Sequence, residues 1–359
     1  MTLDETIRRI HPLDRTGLAR ARTRLNQLTK PIGSLGRLED LAAWYAGIAG
    51  EERPKLPRPV IFTMVADHGV AAEAVSAYPS AVTAQMVLNF LRGGAAVNVL
   101  ASHVGAEVRV VDVGVAHDFG PLPGLISRKV AYGTRNLAEE PAMTAAQAVE
   151  AMEIGIELAA EAAGDGVGLL GTGDMGIGNT TPSAAITAVI TGQPVDQVTG
   201  RGTGLDDAGW ARKVELIERA LARHTTSPTD PLGLLAKVGG LEIAALAGIM
   251  LGGAACRVPV VLDGFIAGAA ALVAVALQPL CQQYLLASHQ SAEPGHRIAL
   301  EHLGLHPCLH LDLRLGEGTG ACLAIGLVQA AIKILTQMAT FEEAGVLQQS
   351  PGRSSHHPA

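Results

Sequence analysis

Alternating strand-like and helix-like segments predict an α/β protein: a mostly parallel sheet covered by helices on both faces, with a smaller helical region built from the chain ends. Two further observations point the same way. The 359 residues are 48% hydrophobic but only 3% aromatic, with 42 glycines, a composition suited to buried strands and close-packed helices joined by tight turns. The segments that follow the expected strands are polar and glycine-rich, and sheets of this kind bind ligands beyond the carboxyl ends of their strands.

Over the first fifty residues, Leu18, Ala21, Leu25 and Leu28 recur at helical spacing. The pattern breaks at Pro31-Ile32-Gly33 and resumes with Leu38, Leu41 and Tyr45. Residues 1–58 are therefore expected as a small helical domain, with a contribution from 321–345. From Pro59 the pattern changes to short runs rich in β-branched residues: Val60 to Val65, Val108 to Val113, Val167 to Leu170, Val258 to Leu262 and Leu309 to Leu313. Each is short enough for a buried strand. The clearest intervening helix is Thr144 to Ala163, where Val149, Met152, Ile156 and Ala159 share a face and Thr144-x-x-Gln147 makes a capping box. Residues 59–320 are expected as the large catalytic domain. The apolar stretches Ile243 to Cys256 and Gly264 to Leu277 hold 14 residues each. A membrane-spanning helix needs about 20, so both are expected in the core. Ala321 to Met338 reads as a last long helix returning to the N-terminal ones, and residues 346–359 as a flexible tail.

A formal net charge of −7 disfavours general attraction to nucleic acid or anionic lipid, so an anionic substrate must be held by local groups. With so few aromatic residues, a base-stacking platform is not expected. The four cysteines show no C-x-x-C pairing and lie in apolar surroundings, as reduced thiols do, which suits a cytoplasmic location. The N-terminal residues lack the basic segment and apolar run of a secretory signal, so export is not expected.

The strand-following segments carry the candidate chemistry: Ala66-Asp67-His68-Gly69, Gly171 to Gly176, Asp263-Gly264 and Gly316-Glu317-Gly318. The stretch from Gly171 to Pro182 holds four glycines and joins an expected strand to an expected helix. Thr181 as cap with Pro182 at the first helical position would gather backbone N–H groups at a helix start, where a phosphate is favoured. A tight turn without a ligand is the competing reading. No early βαβ unit carries G-x-G-x-x-G with an acidic residue after its second strand, so hydride transfer has little support. Glu317, between two glycines, can be approached closely, and an apolar neighbour such as Leu315 would raise its pKa into the range useful to a base. Alternatively it only complements a helix dipole, worth about 0.3–1 kcal/mol. His68, His289 and His296 form no compact zinc spacing, so structural hydrogen bonding is expected of them, and no metal. Lys213 lies on a helix that follows Gly200 to Asp207, and by itself reads as a surface residue.

Taken in order, the blocks Lys30 to Glu39, Ala66 to Val70, Gly133 to Asn136, Gly171 to Pro182, Ala236 to Gly240, Leu262 to Phe265, Ser288 to Glu293 and Arg314 to Gly320 resemble those of the nicotinate-nucleotide:dimethylbenzimidazole phosphoribosyltransferases of cobamide biosynthesis. The match runs from about Leu28 to about Gly326. Any one block is weak, and their joint order and spacing are specific. The resemblance implies a Rossmann-like sheet with a small helical domain, a homodimer, and neither metal nor redox cofactor. It implies Glu317 as the catalytic base. It also implies that Gly173, Asp174, Gly176, Ile177, Gly178, Asn179, Lys213, Gly264 and Ser291 surround the nucleotide's phosphate and ribose, and that Tyr78, Gln85, Met86 and Leu315 line the base pocket. At Asp174 the family usually carries glutamate, so this side chain is one methylene shorter. The implied reaction moves the phosphoribosyl group of nicotinate mononucleotide to 5,6-dimethylbenzimidazole or a related base, with no nucleic-acid or membrane partner. A nucleotide-binding module without catalysis is the alternative from another class, and an NAD-dependent oxidoreductase is a third.

Overall fold

The computed structural model describes residues 1–347. Six strands form one sheet: β1 Arg58–Ala66, β2 Glu107–Gly114, β3 Leu125–Ser127, β4 Val167–Met175, β5 Val260–Leu262 and β6 Leu285–Ala287. Their spatial order is β3-β2-β1-β4-β5-β6, and every ladder is parallel. This is the doubly wound arrangement of a Rossmann-like fold, and its order reverses between β1 and β4. The crevice beyond the carboxyl ends of those two strands is where a ligand is expected.

β1 is buried from Pro59 to Ala66, because a parallel strand is covered on both faces. The helix Leu241–Ala255 is buried along its whole length, and Phe265–Leu277 over its first ten residues, as core helices that are apolar all round should be. Glycines let these helices come close: a Cβ on Gly155, in the helix Ala145–Gly164, would sit 2.8 Å from the Ile249 nitrogen. That helix starts at the expected capping box, with the Thr144 Oγ1 accepting from Gln147 N–H and the Gln147 side chain accepting from Thr144 N–H.

The strand pattern departs from expectation in three places. β4 runs on to Met175, so Gly171 to Asp174 belong to a strand and the turn begins at Gly176. β3 and β6 have three residues each, too short for their sequence to show a period. Leu309 to Leu313 is not a strand: a single bridge joins Leu309 to His289, Asp312 adopts a left-handed conformation (φ 54°) that breaks the extended run, and beyond it the Leu313 carbonyl accepts from the Ala292 N–H at 3.0 Å. β5 starts late because the Val258 N–H still bonds back to the Gly253 carbonyl of the preceding helix.

By contacts the chain divides into two compact units. Met1–Pro12 and Pro57–Gly326 form the unit that holds the sheet. Within it, the Leu3 N–H donates to Glu153 Oε1 at 2.9 Å and the Tyr284 hydroxyl to the His11 carbonyl at 2.7 Å, so the first twelve residues go with the sheet. The second unit takes Leu13–Leu56 and the chain from Leu327 on. There the helices Arg15–Gln27 and Arg37–Ala49 pack together, and buried Arg24 donates to the carbonyls of Leu335 and Met338. The helix Thr319–Gln337 starts in the first unit and ends in the second. By length and composition alone it could cross a bilayer, but more than half of it is buried. The expected flexible tail lies outside the described residues from Gln348 onward.

Candidate active site

Every residue of the site described here lies in the sheet-bearing unit, most of them beyond the carboxyl ends of β1, β4, β5 and β6. After β4, Gly178 turns the chain with a positive φ of 94° into the helix Thr180–Thr191. The cap residue is Asn179 rather than the expected Thr181, which sits buried inside the first turn. The Asn179 amide donates instead to Asp174 Oδ2 at 3.0 Å and fixes the last inward carboxyl of the strand. Asp174 Oδ1 has no partner. Burial holds this carboxyl well above the usual range, the charges of Asp263, Glu242 and Glu317 add to that, and the Asn179 bond opposes it.

Glu317 occupies an unusual backbone position. Gly316, Glu317 and Gly318 are three consecutive residues with positive φ, at 84°, 66° and 108°. A non-glycine residue there costs of order 1–3 kcal/mol and persists only when its surroundings hold it. They do. The Glu317 N–H donates to the Asp174 carbonyl at 3.1 Å, and the Thr63 hydroxyl of β1 donates to the Glu317 carbonyl at 3.0 Å. Next to it, the carboxylate of Asp263, just beyond β5, accepts from the N–H groups of Gly318, Gly320 and Ala321 at 3.0, 2.7 and 3.2 Å. Burial pushes Asp263 up to about 7 despite those three bonds.

The Glu317 carboxylate is itself buried, and its Oε2 accepts from the Val97 N–H at 3.3 Å, at the start of the helix Ala96–Val104. Burial raises its pKa, while the N–H groups of Val97 and Ala96 pull the other way. The result is an oriented carboxylate with a strengthened appetite for a proton, which is what a general base requires.

Most of the expected nucleotide residues gather in two adjoining clefts, one of which reaches Gly316; Glu317 itself lines neither and lies directly behind that wall. Asp174, Asn179, Gly264, Ser291 and Leu315 line one cleft. An adjoining cleft shares Asp174, Asn179 and Leu315 and adds Gly176, Ile177 and Gly178. The starts of the helices Thr180–Thr191 and Phe265–Leu277 both open onto the first cleft, and a helix start favours an anion. Gly173 lines neither cleft and lies directly against the Glu317 backbone.

Lys213 is not a surface residue: it is 1% exposed, and its Nζ donates to Thr180 Oγ1 at 2.7 Å, behind the helix start. Burial brings its pKa down to about 8, opposed by the nearby charge of Glu293. The base-side residues are less gathered. Tyr78 and Gln85 are exposed and Met86 is partly so, and none of the three lines these clefts, whereas Leu315 lines both with 58% of its surface open. The nearby segment is tied down by Thr203 Oγ1, which accepts from the Ala77 N–H at 2.9 Å and lies 3.0 Å from the Ser76 hydroxyl.

Four lining or supporting residues were given no site role by the sequence reading: Asp263, named only within a strand-following segment, His289, expected to be structural, and Glu293 and Arg314, present only within matching blocks. For Asp263 a signal was present, an acidic residue directly after a β-branched run and before a glycine. Glu293 accepts from the Gly202 N–H at 3.0 Å, a contact between residues 91 apart that no local pattern announces. His68 bonds Glu242 at 2.7 Å with both side chains sealed from solvent, a structural pair wedged against Gly176 and Gly240. Among the described residues, no three His, Cys, Asp or Glu side chains converge as metal ligands.

Such a site can hold an anionic group at helix starts above a buried ammonium and accept a proton at Glu317. Comparison with known proteins agrees in kind. A family model described as phosphoribosyltransferase matches residues 10–346. The nicotinate-nucleotide:dimethylbenzimidazole phosphoribosyltransferase of Chloroflexus aggregans is 59% identical over 344 residues, 96% of this chain and 98% of that one. The enzyme of the same name from Geobacter sulfurreducens is 59% identical over 346 residues, with the same coverage. A solved structure of the Thermus thermophilus enzyme of that name superposes with a TM-score of 0.88 at 50% identity, covering 94% of this chain and 100% of the other. With its fold, its glycine-flanked carboxylate and its near full-length likeness to these enzymes in hand, the chain belongs to the nicotinate-nucleotide:dimethylbenzimidazole phosphoribosyltransferase family.

Proposed function

We propose that this enzyme transfers the phosphoribosyl group of nicotinate mononucleotide to 5,6-dimethylbenzimidazole or a related base, forming α-ribazole 5′-phosphate and nicotinate for the lower ligand of cobamides. The observation that carries this reading is Glu317, a buried carboxylate held in a left-handed backbone beside an anion cradle.

The ring nitrogen of the nucleotide is a pyridinium, so nicotinate departs from C1′ without needing a proton. One carboxylate therefore suffices. As one benzimidazole nitrogen attacks C1′ opposite the departing nicotinate, Glu317 takes the proton from the other nitrogen, and C1′ inverts through an oxocarbenium-like transition state. Gly176, Ile177, Gly178 and Asn179 present backbone groups to the phosphate with Lys213 behind them, and Gly264 and Ser291 face the ribose. Gly173 and Asp174 set the backbone of Glu317. Tyr78, Gln85, Met86 and Leu315 border the acceptor base. A homodimer in the cytoplasm is the proposed working form. The apolar side chains of Tyr78 and Leu315, exposed near the clefts, support the first, and the four cysteines, none of them in a disulfide, support the second.

The test is chromatographic. The purified protein, given nicotinate mononucleotide and 5,6-dimethylbenzimidazole, is expected to yield nicotinate and a new ribotide in equal amounts. Glu317→Gln should lower turnover by about 10² to 10⁴-fold, the usual worth of a general base. A folded Glu317→Gln enzyme with near wild-type turnover would remove Glu317 from the mechanism.

A further inference from the structure

His289 lines the same cleft as Gly264, Ser291 and Asp174, and the mechanism above leaves it unused. It follows β6 and is 3% exposed. Its protonation can be worked out from its neighbours. The Ser288 hydroxyl donates its only hydrogen to the Asp263 carbonyl at 2.9 Å. Its 3.0 Å contact with His289 Nδ1 must then run from the ring N–H to the hydroxyl oxygen. Burial pushes the His289 pKa down to about 4, so the ring is neutral and Nε2 carries a free lone pair.

The ring also has a defined direction. Its Nδ1 side is pressed against Gly320, where no Cβ could fit. Its Cε1–Nε2 edge faces Gly264, where a Cβ would lie at an ordinary 3.7–3.8 Å. Gly264 lines the cleft, so that edge borders it. His296 braces the ring edge-on with centroids 6.0 Å apart, and is itself held by the Ser291 N–H at 2.9 Å. Among the described residues no protein donor reaches His289 Nε2.

Nε2 opens onto the cleft, so a ligand that displaces water from it must supply a donor in its place. At neutral pH nicotinate mononucleotide offers few: its carboxylate and phosphate accept, and its pyridinium has no N–H. Only the two ribose hydroxyls donate. The benzimidazole N–H is committed to Glu317. We infer that His289 Nε2 accepts a hydrogen bond from a ribose hydroxyl of the nucleotide, and that the site thereby selects ribosyl over deoxyribosyl donors. The inference rests on the proposed nucleotide substrate.

The experiment is calorimetric binding of nicotinate mononucleotide and its 2′-deoxy and 3′-deoxy analogues to the wild-type enzyme and to His289→Phe. One analogue is expected to bind the wild type about 5- to 150-fold more weakly, the range for leaving a desolvated acceptor unpaired. His289→Phe should lose the same factor for the intact nucleotide and cease to discriminate. A second readout needs no variant: the ¹⁵N resonance of Nε2 should move upfield with the intact nucleotide and stay in place with the discriminated analogue. Wild-type binding of all three within twofold would overturn the assignment, as would full discrimination by folded His289→Phe. Nicotinate release is measured on the same samples with 5,6-dimethylbenzimidazole present. Discrimination in binding without release would uphold His289 and count against the transfer reaction.

Discussion

Gly173→Ala asks whether the backbone of Glu317 must stand where β4 holds it. A Cβ built on Gly173 lies 2.6 Å from the Glu317 carbonyl carbon and 2.9 Å from the Gly318 nitrogen, against 3.4 Å or more for an ordinary contact. Both opponents are backbone atoms, held by Thr63, Asp174 and Asp263, so neither can swing aside. The Glu317 carbonyl oxygen lies closer still, so relief requires a displacement of about 1 Å or more in the segment that carries the base. A misplacement of about 1 Å costs roughly 10²-fold in rate, or about 2.7 kcal/mol at 1.36 kcal/mol per tenfold. The assay is nicotinate release at saturating nucleotide, alongside a thermal melt. Gly171→Ala is the matched control, two residues earlier on the same strand. Its Cβ would meet the Ile61 Cδ1, the end of a flexible side chain, and would otherwise find Ala321 and Ile325 at 3.4 and 3.5 Å. It should cost about 1–3 kcal/mol of stability through overpacking and keep turnover within a few-fold. If Gly173→Ala folds and turns over within threefold of wild type, the reasoning that β4 positions the catalytic carboxylate is refuted.

Three further outcomes follow from the same geometry. Lys213→Met, a replacement suited to a buried site, should weaken nucleotide binding by about 10- to 150-fold, the worth of a hydrogen bond to a charged group, with little change in kcat. The wild-type affinity should fall as pH rises through about 8, where Lys213 loses its proton, and calorimetry on Lys213→Met should show no such inflection. Turnover should also fall as pH is lowered, through a midpoint above the usual carboxylate range, because protonated Glu317 cannot accept the benzimidazole proton; the acid limb of the kcat–pH profile reads this. Glu242→Ala leaves buried His68 without its hydrogen-bond partner and should cost about 1–3 kcal/mol in a denaturant titration.

Much of the architecture was legible along the chain because its signals are local. Val60 to Val65 and Val108 to Val113 announce buried strands by composition, Thr144 and Gln147 announce a helix start by spacing, and strand–helix alternation implies parallel pairing. The rule that ligands sit beyond strand ends then pointed to residues 171–182 and to Glu317. Where the chain gave no periodic signal, reading failed: β3 and β6 are too short to show one, and Leu309 to Leu313 looks extended but is broken at Asp312.

The sequence by itself determined the sheet, its helical cover, the family and the identity of the candidate base. Tertiary structure alone decided the state of the reacting groups. Lys213 sits on a helix rich in charged residues and reads as solvated, yet it is buried, bonded to Thr180, 33 positions away, and influenced by the charge of Glu293. The left-handed backbone of Glu317 is held by Thr63, 254 positions away, and its carboxylate by Val97, at 220. The tautomer of His289 depends on where Ser288 spends its only hydrogen. Strand and helix preferences arise between neighbours and so survive in a linear string. Burial, desolvation and hydrogen-bond direction at the site arise between distant residues, and they come into being only when the sheet closes and brings those residues within bonding distance.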